Sequence, residues 1–325
     1  MTYSIGVIMD PIDSITPYKD TSFAIMLEAQ ARGATIYYIE MADMYIDQGK
    51  AMVITQTISV TDRAADETHD YYTFTSEKSS IPLSDINVLF MRKDPPVDSE
   101  FIYATHMLSL AEHEGSLIVN SPQALRDFNE KLFTSYFPTL IPPTLVTRSA
   151  ALVKDFHKQH GTVICKPLDG MGGASIFKID ESGSNLGVVI ETLTAQGSVQ
   201  MMVQKFMPEI SEGDKRIHIV NGEVMPYALA RLPTAGETRG NLAAGGTGRP
   251  QPLTESDFAI AKQIAPTLVE KGIFFCGLDV IGDKVTEINI TSPTCVREIE
   301  AKYNSGVLSK LFDGIEDKLN ETLND

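Results

Sequence analysis

Apolar and polar positions divide the chain into alternating strand-like and helix-like stretches. Ser4–Met9 is a continuous apolar run stopped by Asp10-Pro11, the pattern of a strand buried in a parallel sheet. Thr21 to Arg32 sets Phe23, Met26, Leu27 and Ala31 at helical spacing, with Gly33 as its stop. Thr35–Met41 predicts a second strand. Residues 42–80 are polar and predict only a hairpin-like excursion, Ala51–Val60 with Tyr71–Phe74. Ile86–Met91 predicts a strand that delivers Arg92-Lys93-Asp94 ahead of Pro95-Pro96. A helix from Phe101 to Glu114, closed by Gly115, leads to a strand at Leu117–Asn120 that Ser121-Pro122 ends. Such alternation predicts an α/β domain with a mostly parallel sheet over residues 1–122. Ligands of such sheets sit at the carboxyl ends of strands, here carrying Asp10 and Arg92. Asp10 also fits a plain turn before Pro11, and Arg92-Lys93 also fits a surface pair.

Beyond residue 122 the pattern changes. A helix from Leu125 to Tyr136 carries Lys131, and Pro138, Pro142 and Pro143 break the chain before a short strand, Thr144–Val146. Ala150 to His160 reads as a helix. An apolar strand from Val163 then ends in Lys166, a loop with three glycines follows, and a second apolar strand runs to Ile179. Val199–Phe206 predicts another strand. Arg216–Val220, the turn Asn221-Gly222 and Glu223–Arg231 form a clear hairpin. Leu232 to Pro250 holds five glycines, no strand or helix period and too few apolar groups for a core, so it reads as a linker or a mobile cover. Thr254 caps a helix from Glu255 to Lys271, which Pro266 should kink or split. Gly277–Ile281 and Val285–Ile290 are paired strands, and helices from Arg297 to Tyr303 and from Gly306 to Leu319 close the chain. The expected organisation is an N-terminal domain (1–122), a central lid (123–207) and a C-terminal antiparallel-sheet domain (208–325).

Alternation also assigns faces. Thr286, Ile288 and Ile290 share one face of the last strand, and Glu287 and Asn289 share the other. Leu278 and Val280 belong to the apolar set, which turns Asp279 the opposite way. The polar sets coincide if the loop is odd, most simply Gly282-Asp283-Lys284, because a one-residue slip flips every side chain. Asp279, Glu287 and Asn289 then offer two carboxylates and an amide oxygen, hard ligands suited to Mg²⁺; a solvated hairpin face is the alternative. In the Asn-Gly hairpin, pairing Val220 with Glu223 sets Arg216 opposite Tyr227, and counting by twos brings Arg231 to the same face. Two arginines on one face suggest a carboxylate or phosphate grip, against the alternative of local ion pairs. The glycine loop after Lys166 is no Walker A sequence, since a strand rather than a helix follows it. Its glycines still let backbone N–H groups approach phosphate oxygens beside a lysine.

Composition narrows the partners. Across 325 residues the net charge is −16, which disfavours nucleic acid and requires any anionic ligand to be gripped by locally placed Arg and Lys. Three cysteines, Cys165, Cys276 and Cys295, without a C-x-x-C pair read as reduced cytosolic thiols rather than a zinc site or disulfide frame. No signal peptide is read at the start, and no apolar run reaches the length of a membrane span.

Together, a glycine loop between strands, Lys166 before it, Lys131 on an earlier helix and the Asp279–Glu287–Asn289 hairpin resemble the ATP-grasp fold. MRKDPP at Met91–Pro96, KPLDGMGGAS at Lys166–Ser175, GETRGNLAAGG at Gly236–Gly246 and TEIN-TSPTC across Thr286–Cys295 resemble bacterial glutathione synthetases over essentially the whole chain. The resemblance implies ATP-driven joining of γ-glutamylcysteine to glycine, with two Mg²⁺ (or Mn²⁺ in substitution) and a cytoplasmic homo-oligomer, tetramer or dimer. It implies that Lys131, Lys166, Gly170, Met171, Gly172, Gly173, Ala174 and Ser175 hold ATP phosphates, and that Gln204, Lys205, Phe206 and Met207 meet adenine. It implies that Asp279, Glu287 and Asn289 bind metal, and that Arg216 and Arg231 are catalytic. Arg92, Arg239, Asn241, Ser292, Pro293 and Thr294 would bind substrate. Two rivals are an ATP-grasp ligase for other amino acids or peptides, and a non-catalytic nucleotide-binding module.

Overall fold

The computed structural model describes residues 3–62 and 70–324; the link between the two halves of the expected excursion, 63–69, lies outside them. The N-terminal strands form as the apolar runs require: β1 (Ser4–Ile8), β2 (Thr35–Ile39), β3 (Met44–Asp47), β4 (Lys50–Val60), β5 (Tyr72–Phe74), β6 (Ser79–Pro82), β7 (Val88–Met91) and β8 (Leu117–Val119). Helices α1 (Thr21–Ala31) and α2 (Ser99–His113) connect them, each opened by an aspartate that accepts from the N3 backbone amide, Asp20 from Phe23 and Asp98 from Phe101. Strands β2-β1-β7-β8 are parallel, and β4 adds antiparallel pairs with β2, β3, β5 and β6. The polar 42–80 stretch is therefore a strand-rich edge built on β4.

After α3 (Pro122–Asp127) comes a four-stranded antiparallel sheet of β9 (Thr144–Thr147), β10 (Val163–Pro167), β11 (Phe177–Ile179) and β12 (Met201–Lys205), in the order β11-β10-β12-β9. Two helices, α4 (Ala150–His160) and α5 (Leu186–Leu193), cover it with a small separate core that includes Val153, Val163, Val189, Ile190 and Val203. The expected helix from Leu125 to Tyr136 is broken: Lys131 lies between α3 and a 3-10 turn, Leu132–Tyr136. Asn129 makes the break, its Oδ1 accepting from the amides of Lys131 and Leu132, an Asx turn that competes with helix.

The third sheet holds β13 (Asp214–Val220), β14 (Glu223–Leu232), β15 (Thr247–Pro252), β16 (Phe275–Ile281) and β17 (Lys284–Asn289), ordered β15-β14-β13-β16-β17. The glycine-rich stretch is thus shorter than expected, because its end joins the sheet as edge strand β15. Helix α6 (Glu255–Glu270) starts on a full capping box of Thr254 and Asp257 and runs unbroken through Pro266, so the expected split does not occur. Helices α7 (Val296–Tyr303) and α8 (Val307–Asn324) close the chain. Val307, Leu311, Phe312 and Ile315 of α8 pack into one buried cluster with Phe23, Phe90 and Phe275, so the C-terminal helix is part of the N-terminal core. No helix among the described residues is long and apolar enough to cross a membrane.

One side chain bolts the first and third sheets together. Asn120, 3 % exposed just after β8, accepts from the amides of Phe274 and Phe275 and donates to the carbonyls of Phe275 and Ile290, all at 2.7 Å. Removing it takes a partner from four backbone groups, and each that is left unpaired costs about 1–3 kcal/mol. Asn120→Ala should shift the chemical-denaturation transition by at least about 2 kcal/mol. A loss below about 1 kcal/mol in urea unfolding would show that water replaces the side chain there.

Candidate active site

Strand β13 runs between β14 and β16, and its register sets the site. Arg216 lies opposite Asp279, and Asp279 opposite Glu287, so three charged residues form one row across β13, β16 and β17. The turn after β16 is nevertheless the two-residue one, with Ile281 opposite Lys284. The parity is restored by a bulge at Thr286, which the ladder skips, rather than by a three-residue loop. Val285, 1 % exposed, takes the apolar place expected for Thr286, while Thr286 turns to the cavity side with Glu287. The other hairpin also departs from plan. Arg216 faces Leu229 instead of Tyr227, because β14 carries two extra residues around Pro226, which has no N–H to donate. A shift of two preserves the face, and Arg231 arrives beside Arg216 as expected.

Asp279 is the centre of this row. Its carboxylate takes Arg216 Nε at 2.6 Å and Nη2 at 3.2 Å, a forked pair, and Arg231 Nη2 at 2.9 Å. Burial alone would raise its pKa, but the two guanidiniums hold it well below the usual carboxylate range. Arg231 also binds the carboxylate of Asp214, which burial pushes upward. Glu287 sits 3.6 Å from Lys131 Nζ and 3.5 Å from Lys166 Nζ. Burial lowers the Lys166 pKa, opposed by Glu287. Lys131 Nζ donates to Gly170 O at 2.6 Å, which ties it to the glycine loop.

That loop meets the second glycine-rich stretch. Arg239 Nη1 donates to Gly173 O at 3.1 Å, and a Cβ built on Gly173, whose φ is +83°, would fall 2.8 Å from Asn241 Oδ1. Only glycine allows this closure. Two cavities flank the charged row. The first is lined by Lys166, Ile176, Met207, Ile281 and Glu287 among others, with Gln204, Lys205 and Phe206 on its lid-sheet side. The second, about 310 Å³, is lined by Arg216, Arg231, Asn289, Ser292, Thr294 and Glu130 among others. Asn241 borders both.

Two family models match most of the chain. The prokaryotic glutathione synthetase N-terminal domain matches residues 3–126, and the ATP-grasp domain of the same enzymes matches residues 130–304. This chain belongs to the prokaryotic glutathione synthetase family. A glutathione synthetase of Vibrio vulnificus is 56 % identical over 319 residues, covering 98 % of this chain and 99 % of the relative. One from Vibrio cholerae is 57 % identical, covering 98 % of both chains. One from Escherichia coli is 56 % identical, covering 98 % and 99 %. Among solved structures, D-cycloserine synthetase DcsG superposes with a TM-score of 0.66 at 13 % identity, covering 97 % of this chain and 99 % of that one. The ATP-grasp ligase PsnB, complexed with minimal precursor, Mg and ADP, gives 0.61 at 16 %, covering 97 % and 98 %. These two establish the ATP-grasp fold alone.

As a member of the glutathione synthetase family, the chain can be tested for its metal. Among the described residues no three His, Cys, Asp or Glu side chains cluster around one point. The donor set is instead two carboxylates and an amide. Asn289 Nδ2 donates to Gly277 O at 3.1 Å, which leaves its Oδ1 for another partner, and Glu287 holds only lysines. A few hard oxygens beside two lysines fit an ion that takes its other ligands from phosphate and water.

The turn Ser292–Thr294 is tightly held. Ser292 Oγ bonds Asp94, Arg92 Nη2 donates to Pro293 O at 2.9 Å, and Arg216 Nη1 reaches Thr294 Oγ1 at 3.4 Å. Sequence reasoning missed Glu130, whose Oε1 accepts from the amides of Ile290 (2.8 Å) and Thr291 (3.0 Å) and from Thr291 Oγ1 (2.8 Å). It also missed Asp214, which counting by twos from Arg216 would have found, and His218.

Glu287→Gln removes the countercharge of two lysines and one of the candidate metal oxygens. It should leave the circular dichroism spectrum unchanged and lower turnover by roughly 100-fold or more, with partial recovery at high Mg²⁺. Near-normal turnover at ordinary Mg²⁺ would show that Glu287 carries no metal.

Proposed function

We propose that the charged row of Arg216, Asp279 and Glu287 is the wall across which a phosphoryl group passes from the first cavity to the second. The chain is an ATP-dependent, ADP-forming ligase that makes glutathione from γ-glutamylcysteine and glycine. The observation that carries the residue assignments is that Asp279, which lines the first cavity with Lys166 and Glu287, holds Arg216 and Arg231, which line the second cavity beside Met171 and Gly172 of the glycine loop. In this reading residues 1–122 supply one side of the substrate cavity, 123–207 close over ATP, and 208–325 carry the reacting groups.

Adenine lies against Ile176, Met207 and Ile281, next to the backbone of Gln204–Met207. Lys131, Lys166 and the Gly170–Ser175 loop, with Met171, Gly172, Gly173 and Ala174, hold the phosphates. Asp279, Glu287 and Asn289 would hold two Mg²⁺, or Mn²⁺ in their place, which neutralise β- and γ-phosphate charge when bound. The cysteinyl carboxylate of γ-glutamylcysteine attacks the γ-phosphorus, the bond to the β-phosphate oxygen breaks, and ADP leaves. The deprotonated glycine amine then attacks the acyl carbon, phosphate departs with its oxygen, and the amine proton passes to phosphate or water. Arg216 and Arg231 face the charge that develops on both centres. Ser292, Pro293 and Thr294 shape the peptide site, and Arg239 and Asn241 close over it and exclude water. The chain works in the cytoplasm as a homo-oligomer, tetramer or dimer, with neither nucleic acid nor membrane as partner.

Phosphate release should require ATP, Mg²⁺, γ-glutamylcysteine and glycine together, with one ADP per glutathione. Replacing Glu237–Gly246 with a short Gly-Ser link should spare ATP binding and raise the ratio of ADP to glutathione, as acyl phosphate leaks to water. A ratio that stays near one while both rates fall together would move this loop from shielding to substrate placement. Arg231 reaches the carboxylates of Asp214 and Asp279 through Nη2 and the Asp214 carbonyl through Nε, a planar pair of donors that an ammonium lacks, so Arg231→Lys should damage kcat nearly as much as Arg231→Ala. Recovery of most of kcat with lysine would show that charge alone suffices.

A further inference from the structure

The expected substrate ligand Arg92 does not reach the second cavity's lining. It is 5 % exposed, with Nε donating to Ser22 Oγ at 3.0 Å and Nη2 to Pro293 O at 2.9 Å. Burial lowers its pKa to about 10, which keeps it cationic at neutral pH. One residue along the same turn, Thr294 O lies 2.9 Å from Nε2 of His218, which is 0 % exposed. A carbonyl only accepts, so Nε2 carries the hydrogen. Burial pushes His218 down to about 4. The ring is therefore neutral, and its Nδ1 is a bare acceptor.

Two orphan atoms then match. Arg92 Nη1 and His218 Nδ1 are both buried without a hydrogen-bond partner among the described residues. The first can only donate, and the second can only accept. Both groups border the Phe275 ring, with the Arg92 guanidinium carbon 6.0 Å from its centroid and the His218 ring stacked at 5.6 Å. Buried polar groups are paired as a rule, and these two complement each other.

We infer that Arg92 and His218 form one positioning unit. Arg92 Nη1 is joined to His218 Nδ1 through a single buried water that accepts from the first and donates to the second, and the joined pair holds the successive carbonyls of Pro293 and Thr294. The unit runs from Ser22 in the first turn of α1 to the turn that presents Ser292 and Thr294 to the peptide substrate. Arg92 is in this assignment a positioning residue, with no substrate carboxylate in its grip. The inference rests on reading the second cavity as the γ-glutamylcysteine site.

Arg92→Met and His218→Phe, which keep bulk and stacking, should each lower kcat/KM for γ-glutamylcysteine by roughly tenfold and leave the KM for ATP unchanged. The double variant should be no worse than the weaker single, because the two act as one unit. His218→Gln, whose amide nitrogen can replace Nε2–H, should recover most of the loss. In the unmodified enzyme, ¹⁵N NMR should show His218 neutral and protonated on Nε2 across about pH 6–8. Losses that multiply in the double variant, or an Nδ1–H tautomer, overturn the unit. So does an Arg92→Met defect that vanishes when γ-glutamylcysteine is replaced by 4-aminobutyryl-cysteine, which keeps the reacting carboxylate but lacks the glutamyl α-carboxylate; that would return Arg92 to carboxylate binding. Glutathione formation by the unmodified enzyme is read in the same assays, so the unit can fail while the ligase assignment stands.

Discussion

Asp279 sits between two buried arginines, and the site depends on that pairing. Taking one carboxylate and two guanidiniums out of water costs several kcal/mol per ion unless each finds a counter-charge. Asp279 supplies it to both Arg216 and Arg231, and Asp214 supplies the remainder to Arg231. The same carboxylate belongs to the metal set in the proposed mechanism. In that mechanism the arginines are held ready where phosphoryl charge develops, at fixed positions and without a cost of reorganisation at the moment of reaction.

Around this centre, short stretches of chain each hold several parts. Asn129 carries the root of the glycine loop through Leu168 O at 3.0 Å, Glu130 holds the end of β17, and Lys131 joins Gly170 to Glu287. Three consecutive residues thus connect the glycine loop to β17 and to the residues that follow it. The second glycine-rich stretch bears on the same loop at Gly173, so closing one positions the other.

Face assignment was legible in the sequence, and register was not. Asp279, Glu287 and Asn289 do share a side, and so do Arg216 and Arg231, because burial of one face forces period-two alternation. Alternation constrains only parity. It could not distinguish a three-residue loop from a two-residue turn followed by a bulge at Thr286, nor detect the two-residue shift around Pro226. Lys131 was misplaced on a continuous helix because the apolar spacing continues across a break made by the Asn129 side chain.

The sequence by itself determined the two glycine loops, the lysines, the acidic hairpin and the order of strands and helices, since each is written in local spacing or composition. Its long motifs also pointed to the family. Tertiary structure alone decided which elements meet. Asn120 reaches 155 residues along the chain to Phe275, α8 completes the N-terminal core, and Arg92 donates to the carbonyl of Pro293. Contacts between distant segments leave no period in the sequence. A buried polar side chain looks the same in the chain whether its partner is a ligand or a carbonyl about two hundred residues away, and only packing, which must satisfy every buried donor and acceptor, makes the choice.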